Sequence, residues 1–192
     1  IESQFLRYPN ANVIIFDKDR SARGNTIAHG GIYVEPGKDD IAFQPLRELE
    51  STVDLLWASE FIECLLVEQK INVTPQMKDA IRTAVNLMKD IDENSRTLST
   101  FSQYVNYVNS ETGANDIKIG ISPYVKGGQY GDIFDADSTS MPLSKWIMIE
   151  MGSLMKLSSQ AVTPALMFLF KYLEKIWMKD NTSPTLMVLD EA

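Results

Sequence analysis

Pro184-Thr-Leu-Met-Val-Leu-Asp190-Glu191-Ala192 is the stretch on which the reading of this chain turns. Leu186 to Leu189 form a short, unbroken apolar run, which predicts a buried strand because the run is too short for a core helix. Two acids follow it at once. The strand would therefore deliver Asp190 to its carboxyl end, the edge at which α/β sheets bind ligands, and a carboxylate there can hold a divalent cation directly or through a water. The plain alternative is a core strand that ends in a solvated, charged turn.

Working outward, Thr163-Pro164 predicts a helix start, and Leu166, Leu169, Phe170, Leu173 and Trp177 mark the buried face of a helix over Ala165 to Met178. Before it lies Trp146-Ile-Met-Ile-Glu150, a second strand broken at Gly152. Strand, helix and strand in that order make a right-handed crossover, so the two strands should lie beside or near each other in a mostly parallel sheet. At the other end, a short helical stretch over Glu2 to Tyr8 stops at Pro9-Asn10, and Asn12 to Phe16 is continuously apolar and β-branched after its first residue, a third buried strand. It runs into Asp17-Lys18-Asp19-Arg20, and Ile32 to Val34 forms a further short strand. The charge-dense turn at a strand end either contacts a nucleotide, a metal or a neighbouring subunit, or is solvated and paired within itself. Glu150 is expected in a structural ion pair.

The middle of the chain has helical periodicity. Leu46, Leu49, Val53, Leu56, Trp57, Phe61, Leu65 and Leu66 predict one long amphipathic helix from about Pro45 to about Lys70. Thr74 as N-cap and Pro75 in the first turn announce a second, with Met77, Ile81, Val85 and Met88 on one face. A third is expected over Leu98 to Val108, and a shorter element with Ile117, Ile119, Ile121 and Tyr124 follows Gly113. Gly128 to Asp135 is expected as a loop anchored by Tyr130 and Phe134.

Composition excludes several classes. The 192 residues suffice for one substantial domain, or a core plus a smaller lobe. A net charge of -8 argues against a non-specific grip on a phosphate backbone, so nucleic acid is not the expected partner. Cys64 is the only cysteine, which rules out an intrachain disulfide and a Cys-rich zinc site, and the single histidine, His29, is expected in a loop. No apolar run approaches the roughly 20 residues that span a bilayer. The chain begins at Ile1 without a methionine, and both ends are expected to be cut from something longer.

Three groups of residues, in this order and spacing, resemble the TrbE/CagE family of conjugative-transfer and type IV secretion ATPases. They are Val13 to Ala22 with Phe43-Gln-Pro-Leu46; Gly128-Gln-Tyr-Gly-Asp-Ile-Phe-Asp135; and Met148-Ile-Glu150 with Met155, Pro164-Ala-Leu166 and Leu186 to Ala192. The resemblance implies a RecA-like P-loop NTPase core, α/β with a mostly parallel sheet, truncated and carrying an inserted helical subdomain. Residues 1–45 would open the core, 46–128 would be the inserted lobe, and 129–192 would complete the core, ending at Walker B. It further implies ATP and Mg²⁺ in the full-length parent, with Asp190 holding the metal and Glu191 facing the γ-phosphate as the catalytic carboxylate; Asp17, Lys18 and Arg20 are candidates for cofactor contact. The family's members assemble as hexamers and work with other secretion components, peripherally, at the cytoplasmic face of the bacterial inner membrane. No G-x-x-x-x-G-K-[ST] motif occurs in the chain, so the segment by itself is expected to be inactive. Two other readings stay open: a non-catalytic interaction module of the same machine, and a DNA-translocating motor with the same core.

Overall fold

In the computed structural model, which describes residues 2–38, 41–107, 113–142, 144–179 and 183–190, the elements run in the order α1 (Glu2–Phe5), β1 (Asn12–Asp17), α2 (Arg23–Ala28), β2 (Ile32–Val34), α3 (Thr52–Glu68), α4 (Pro75–Leu87), α5 (Leu98–Tyr104), α6 (Ala114–Ile121), α7 (Gly131–Phe134), β3 (Trp146–Glu150), α8 (Gly152–Met155), α9 (Ser159–Lys179) and β4 (Thr185–Leu189). The chain divides into two compact units. The first consists of residues 1–41, 140–158 and 169–192, the second of residues 42–139 and 159–168.

The first unit is a four-stranded sheet in the order β2-β3-β1-β4, and every pairing is parallel. The four predicted strands thus share one parallel sheet. β1 and β3 are buried throughout, as expected for strands covered on both faces. Alternation puts Val13, Ile15, Trp146 and Met148 on one face, where Phe5, Ala22, Tyr33 and Val188 pack on them. Trp146 donates its indole N–H to the Thr26 hydroxyl at 3.1 Å and so ties α2 to that face. On the opposite face Phe16 meets Phe170 of α9, ring centroids 5.3 Å apart. β4 differs from expectation: it is half-buried, and Leu189 is 55% exposed, because among the described residues β4 has a neighbour on one side only.

The second unit is helical. α3 begins at Thr52, not near Pro45, because Ser51 and Asp54 close a reciprocal capping box that fixes the first turn there. Leu46 and Leu49 are buried in the preceding irregular segment, while Val53 and Leu56 point outward. α4 starts as its sequence dictates, with the Thr74 hydroxyl accepting from Met77 N at 3.2 Å and Pro75 in the first turn. α5 is shorter than predicted and tightens into a 3₁₀ turn over Val105–Tyr107; Val108 lies outside the described residues. Phe43, Phe61, Tyr124, Phe134 and Phe168 form the aromatic centre, with Phe43 and Phe168 stacked at 4.5 Å.

The start of α9 corrects a second boundary. Thr163 is not the cap: the helix begins at Ser159 and carries Pro164 inside it. Proline has no N–H for the carbonyl four residues back, that of Gln160, and an orphaned carbonyl is costly. Tyr124 repairs this by donating its hydroxyl to Gln160 O at 2.7 Å. Phe170, expected on the buried face, is 39% exposed, and the Trp177 side chain lies outside the described residues. Among the described residues no helix is long and apolar enough to cross a membrane.

Candidate functional site

Each strand of the sheet runs into an acid. β1 ends in Asp17 and β3 in Glu150, while Glu35 directly follows β2 and Asp190 directly follows β4. Because the strands are parallel, all four carboxylates reach the same edge. Asp17 and Glu150 are register partners, and Asp190 is fixed to the edge by its own N–H, which donates to Phe16 O at 2.8 Å.

Three of the four are buried, with relative exposures of 0% for Asp17 and 2% for both Glu35 and Glu150. A buried carboxylate has to find donors, and each does. Asp17 accepts the Ser21 hydroxyl at 2.7 Å on one oxygen and Ala22 N–H at 2.9 Å on the other. Glu150 accepts the backbone N–H groups of Arg20 and Gly152, both at 2.8 Å. Among the described residues it makes no ion pair, contrary to the expectation from sequence; two main-chain donors serve it instead. A Cβ at position 152 would sit 2.5 Å from Glu150 Oε1, so a larger residue there would displace the carboxylate from this place. Glu35 is the charged centre of the edge, accepting from the Arg20 guanidinium at 2.9 Å, the Tyr33 hydroxyl at 2.8 Å and the Ser153 hydroxyl at 2.6 Å. The bond from Arg20 holds its carboxyl down at about 2, against the opposing pull of burial.

These bonds also explain the turn after β1. Asp19 and Arg20 both have left-handed backbones, with φ of 67° and 62°, a conformation that non-glycine residues adopt only when the surroundings enforce it. Glu150 holds Arg20 by its N–H and Glu35 holds it by its guanidinium, while Asp17 fastens the far side of the turn at Ser21 and Ala22. Of the sequence candidates for cofactor contact, Asp17 is therefore wholly engaged inside the protein, Arg20 is committed to Glu35 and Tyr33, and Lys18 is half-buried on the turn.

Asp190 is different. It is exposed, and one of its carboxylate oxygens lies 3.3 Å from the Ser21 hydroxyl. Glu191 lies outside the described residues. Among the described residues no group of three or more His, Cys, Asp or Glu side chains is placed to hold a metal ion. His29 caps the end of α2 and stacks on Trp146 at 4.7 Å, a packing role.

Sequence reasoning misses Glu35 and Ser21. A signal for Glu35 is present: Ile-Ile-Phe-Asp17, Ile-Tyr-Val-Glu35, Ile-Met-Ile-Glu150 and Met-Val-Leu-Asp190 are four apolar runs that each close on an acid. Nothing local marks Ser21, because its partner Asp190 is 169 residues away.

Two relatives match the chain over its whole length. It is 33% identical over 198 residues to a probable conjugal transfer protein TrbE of Sinorhizobium fredii, a match that covers 100% of this chain and 28% of that protein. The conjugal transfer protein TrbE of Rhizobium radiobacter is 30% identical over 200 residues, again across 100% of this chain and 23% of its own length. The chain matches a segment of the TrbE/VirB4 proteins. The type IV secretion system protein virB4 of Bartonella quintana matches at 25% identity over 86% of the chain. The VirB4 structure from Thermoanaerobacter pseudethanolicus superposes with a TM-score of 0.76 over 100% of this chain and 79% of that one, at 19% identity, which shows that the fold is shared. No protein-family model matches the chain. The chain spans about a quarter of the length of the curated relatives it matches.

Proposed function

We propose that this chain belongs to an ATP-hydrolysing motor subunit that powers conjugative transfer or type IV secretion, and that Asp190 and Glu191 are its Walker B carboxylates. The observation that carries the reading is the exposed Asp190 at the end of a parallel strand, beside three buried acids whose bonding is supplied within the protein. In this reading Asp190 holds Mg²⁺ and Glu191 orients and polarises the attacking water. The donor set fits that ion, since Mg²⁺ is commonly held by one or two carboxylates together with nucleotide phosphates, without a dedicated protein cage. When bound, the ion would neutralise charge on the β- and γ-phosphates. Asp17, Glu35 and Glu150 build the edge on which Asp190 stands.

The glycine-rich phosphate loop and its lysine are absent from this sequence, so the segment alone hydrolyses no ATP and binds nucleotide poorly. The full-length protein works as a homohexamer with other secretion components, peripherally at the cytoplasmic face of the inner membrane. The discontinuity of the first unit in sequence supports reading the helical stretch, residues 46–128, as an insertion into the motor core. Exposure of Val53 and Leu56, at 66% and 59% on α3, favours a second task for that lobe: docking other components of the machine.

The test is a pair of substitutions in the full-length protein. Glu191→Gln abolishes turnover while sparing ATP binding, and Asp190→Asn weakens Mg²⁺-dependent binding as well; steady-state phosphate release and nucleotide titration separate the two. Near-normal turnover in Glu191→Gln would overturn the assignment.

A further inference from the structure

The Ser21 hydroxyl stands between two carboxylates, 2.7 Å from Asp17 Oδ1 and 3.3 Å from Asp190 Oδ2. It has a single proton for both. Asp17 is fully buried and has the stronger claim, so the short contact fixes the hydroxyl and the longer one is the weaker arm of a shared bond. Asp17 in turn cannot shift: its second oxygen holds Ala22 N–H at 2.9 Å, its carbonyl accepts Met151 N–H at 2.8 Å, and its strand is the buried centre of the sheet. Asp190 has no comparable anchor. Its backbone is tied to Phe16, and among the described residues Ser21 is the side chain that touches its carboxylate.

We propose that Ser21 is a positioning residue: fixed by the buried Asp17, it holds the Asp190 carboxylate in the rotamer from which that group binds the divalent cation. The inference rests on the reading of Asp190 as the metal-holding acid. It accounts for the left-handed backbone at Asp19 and Arg20, because the chain must double back there for Ser21 to reach both its own strand end and that of β4. The turn after β1 thus serves the site through Asp190.

The experiment uses the full-length protein, with Mn²⁺ as probe, bound ion read by electron paramagnetic resonance, and a non-hydrolysable ATP analogue present throughout. Ser21→Ala should weaken Mn²⁺ binding about tenfold, the usual consequence of removing a group that orients a metal ligand, and leave the metal-free affinity for the analogue unchanged. Ser21→Thr keeps the hydroxyl and should stay within about twofold of the native protein, whereas Ser21→Val, which matches threonine in shape, should behave like Ser21→Ala. This pair isolates the hydroxyl from any packing change and remains decisive if the alanine variant folds poorly. Equal Mn²⁺ affinity in the Thr and Val variants overturns the proposal. If Asp190→Asn itself leaves Mn²⁺ affinity unchanged, the fault lies with the reading of Asp190, and the role of Ser21 falls with it.

Discussion

Both units bury charge, and they use it for different ends. In the helical unit Arg96 is 5% exposed and collects the carbonyls of Arg47, Lys89 and Ile91 along with the Glu50 carboxylate. Asp135, at 1%, accepts Ser99 N–H, the Ser99 hydroxyl and Lys126 N–H. Each takes main-chain partners from more than one segment and replaces hydrogen bonds that no helix or strand supplies there. In the sheet unit the buried charges Asp17, Glu35 and Glu150 are equally well bonded, but parallel topology sets them in a row, and the fourth member of the row is in water. Burial with full bonding therefore marks architecture in both places. The exposed acid beside the row is the one to which the proposed function assigns the chemistry.

The contrast predicts opposite effects of removing charge. Asp190→Ala in the full-length protein should lower turnover by about 10²- to 10³-fold, roughly 3–4 kcal/mol, as for loss of one key electrostatic group. Its melting temperature should hardly change, because Asp190 is exposed; a large drop in thermal stability would break the comparison from the sheet side. Arg96→Ala should do the reverse, costing about 3 kcal/mol of folding stability by orphaning buried carbonyls, as equilibrium denaturation would register. Little loss there would mean that water or Glu50 replaces the guanidinium.

A smaller effect concerns Glu35, and it depends on pH. Its carboxyl titrates near 2 in the folded protein, below its ordinary 4.5, so the folded state holds the ionised form more tightly than the unfolded chain does. The stabilisation is complete above about pH 4.5 and is lost as pH falls toward 2. Glu35→Gln should cost about 1–3 kcal/mol at neutral pH and flatten the stability profile across that window. An unchanged slope would show that Arg20 and the two hydroxyls do not act on Glu35 in solution. Smallest is Tyr124→Phe, which removes the hydroxyl's bond to the Gln160 carbonyl beside Pro164 and should cost about 1 kcal/mol. A neutral result would place a water on that carbonyl.

Legibility follows the range of the interaction that decides each feature. The strands at Val13, Ile147 and Leu186 and the start of α4 are readable because apolar runs and a Thr-Pro cap act within a few residues. The start of α9 misleads because Thr163-Pro164 is a good local start signal, whereas the donor that reaches the carbonyl the proline cannot serve is Tyr124, distant in sequence. Val53 and Leu56 fit a buried face on paper and point outward in the fold because the periodicity of α3 extends over more residues than the helix buries.

By itself, then, the sequence determined the α/β class, the strand that ends at Asp190, and the resemblance that leads to TrbE and VirB4. Composition and residue order carry those without reference to distant contacts. Tertiary structure alone decided that β1 lies between β3 and β4, that Asp17 is sealed in the interior while Asp190 is exposed, and that Ser21 meets both. The physical reason is that a carboxylate's role depends on its solvation and its donors. At this sheet edge those donors come from residues as far as 169 positions apart, which no local pattern encodes.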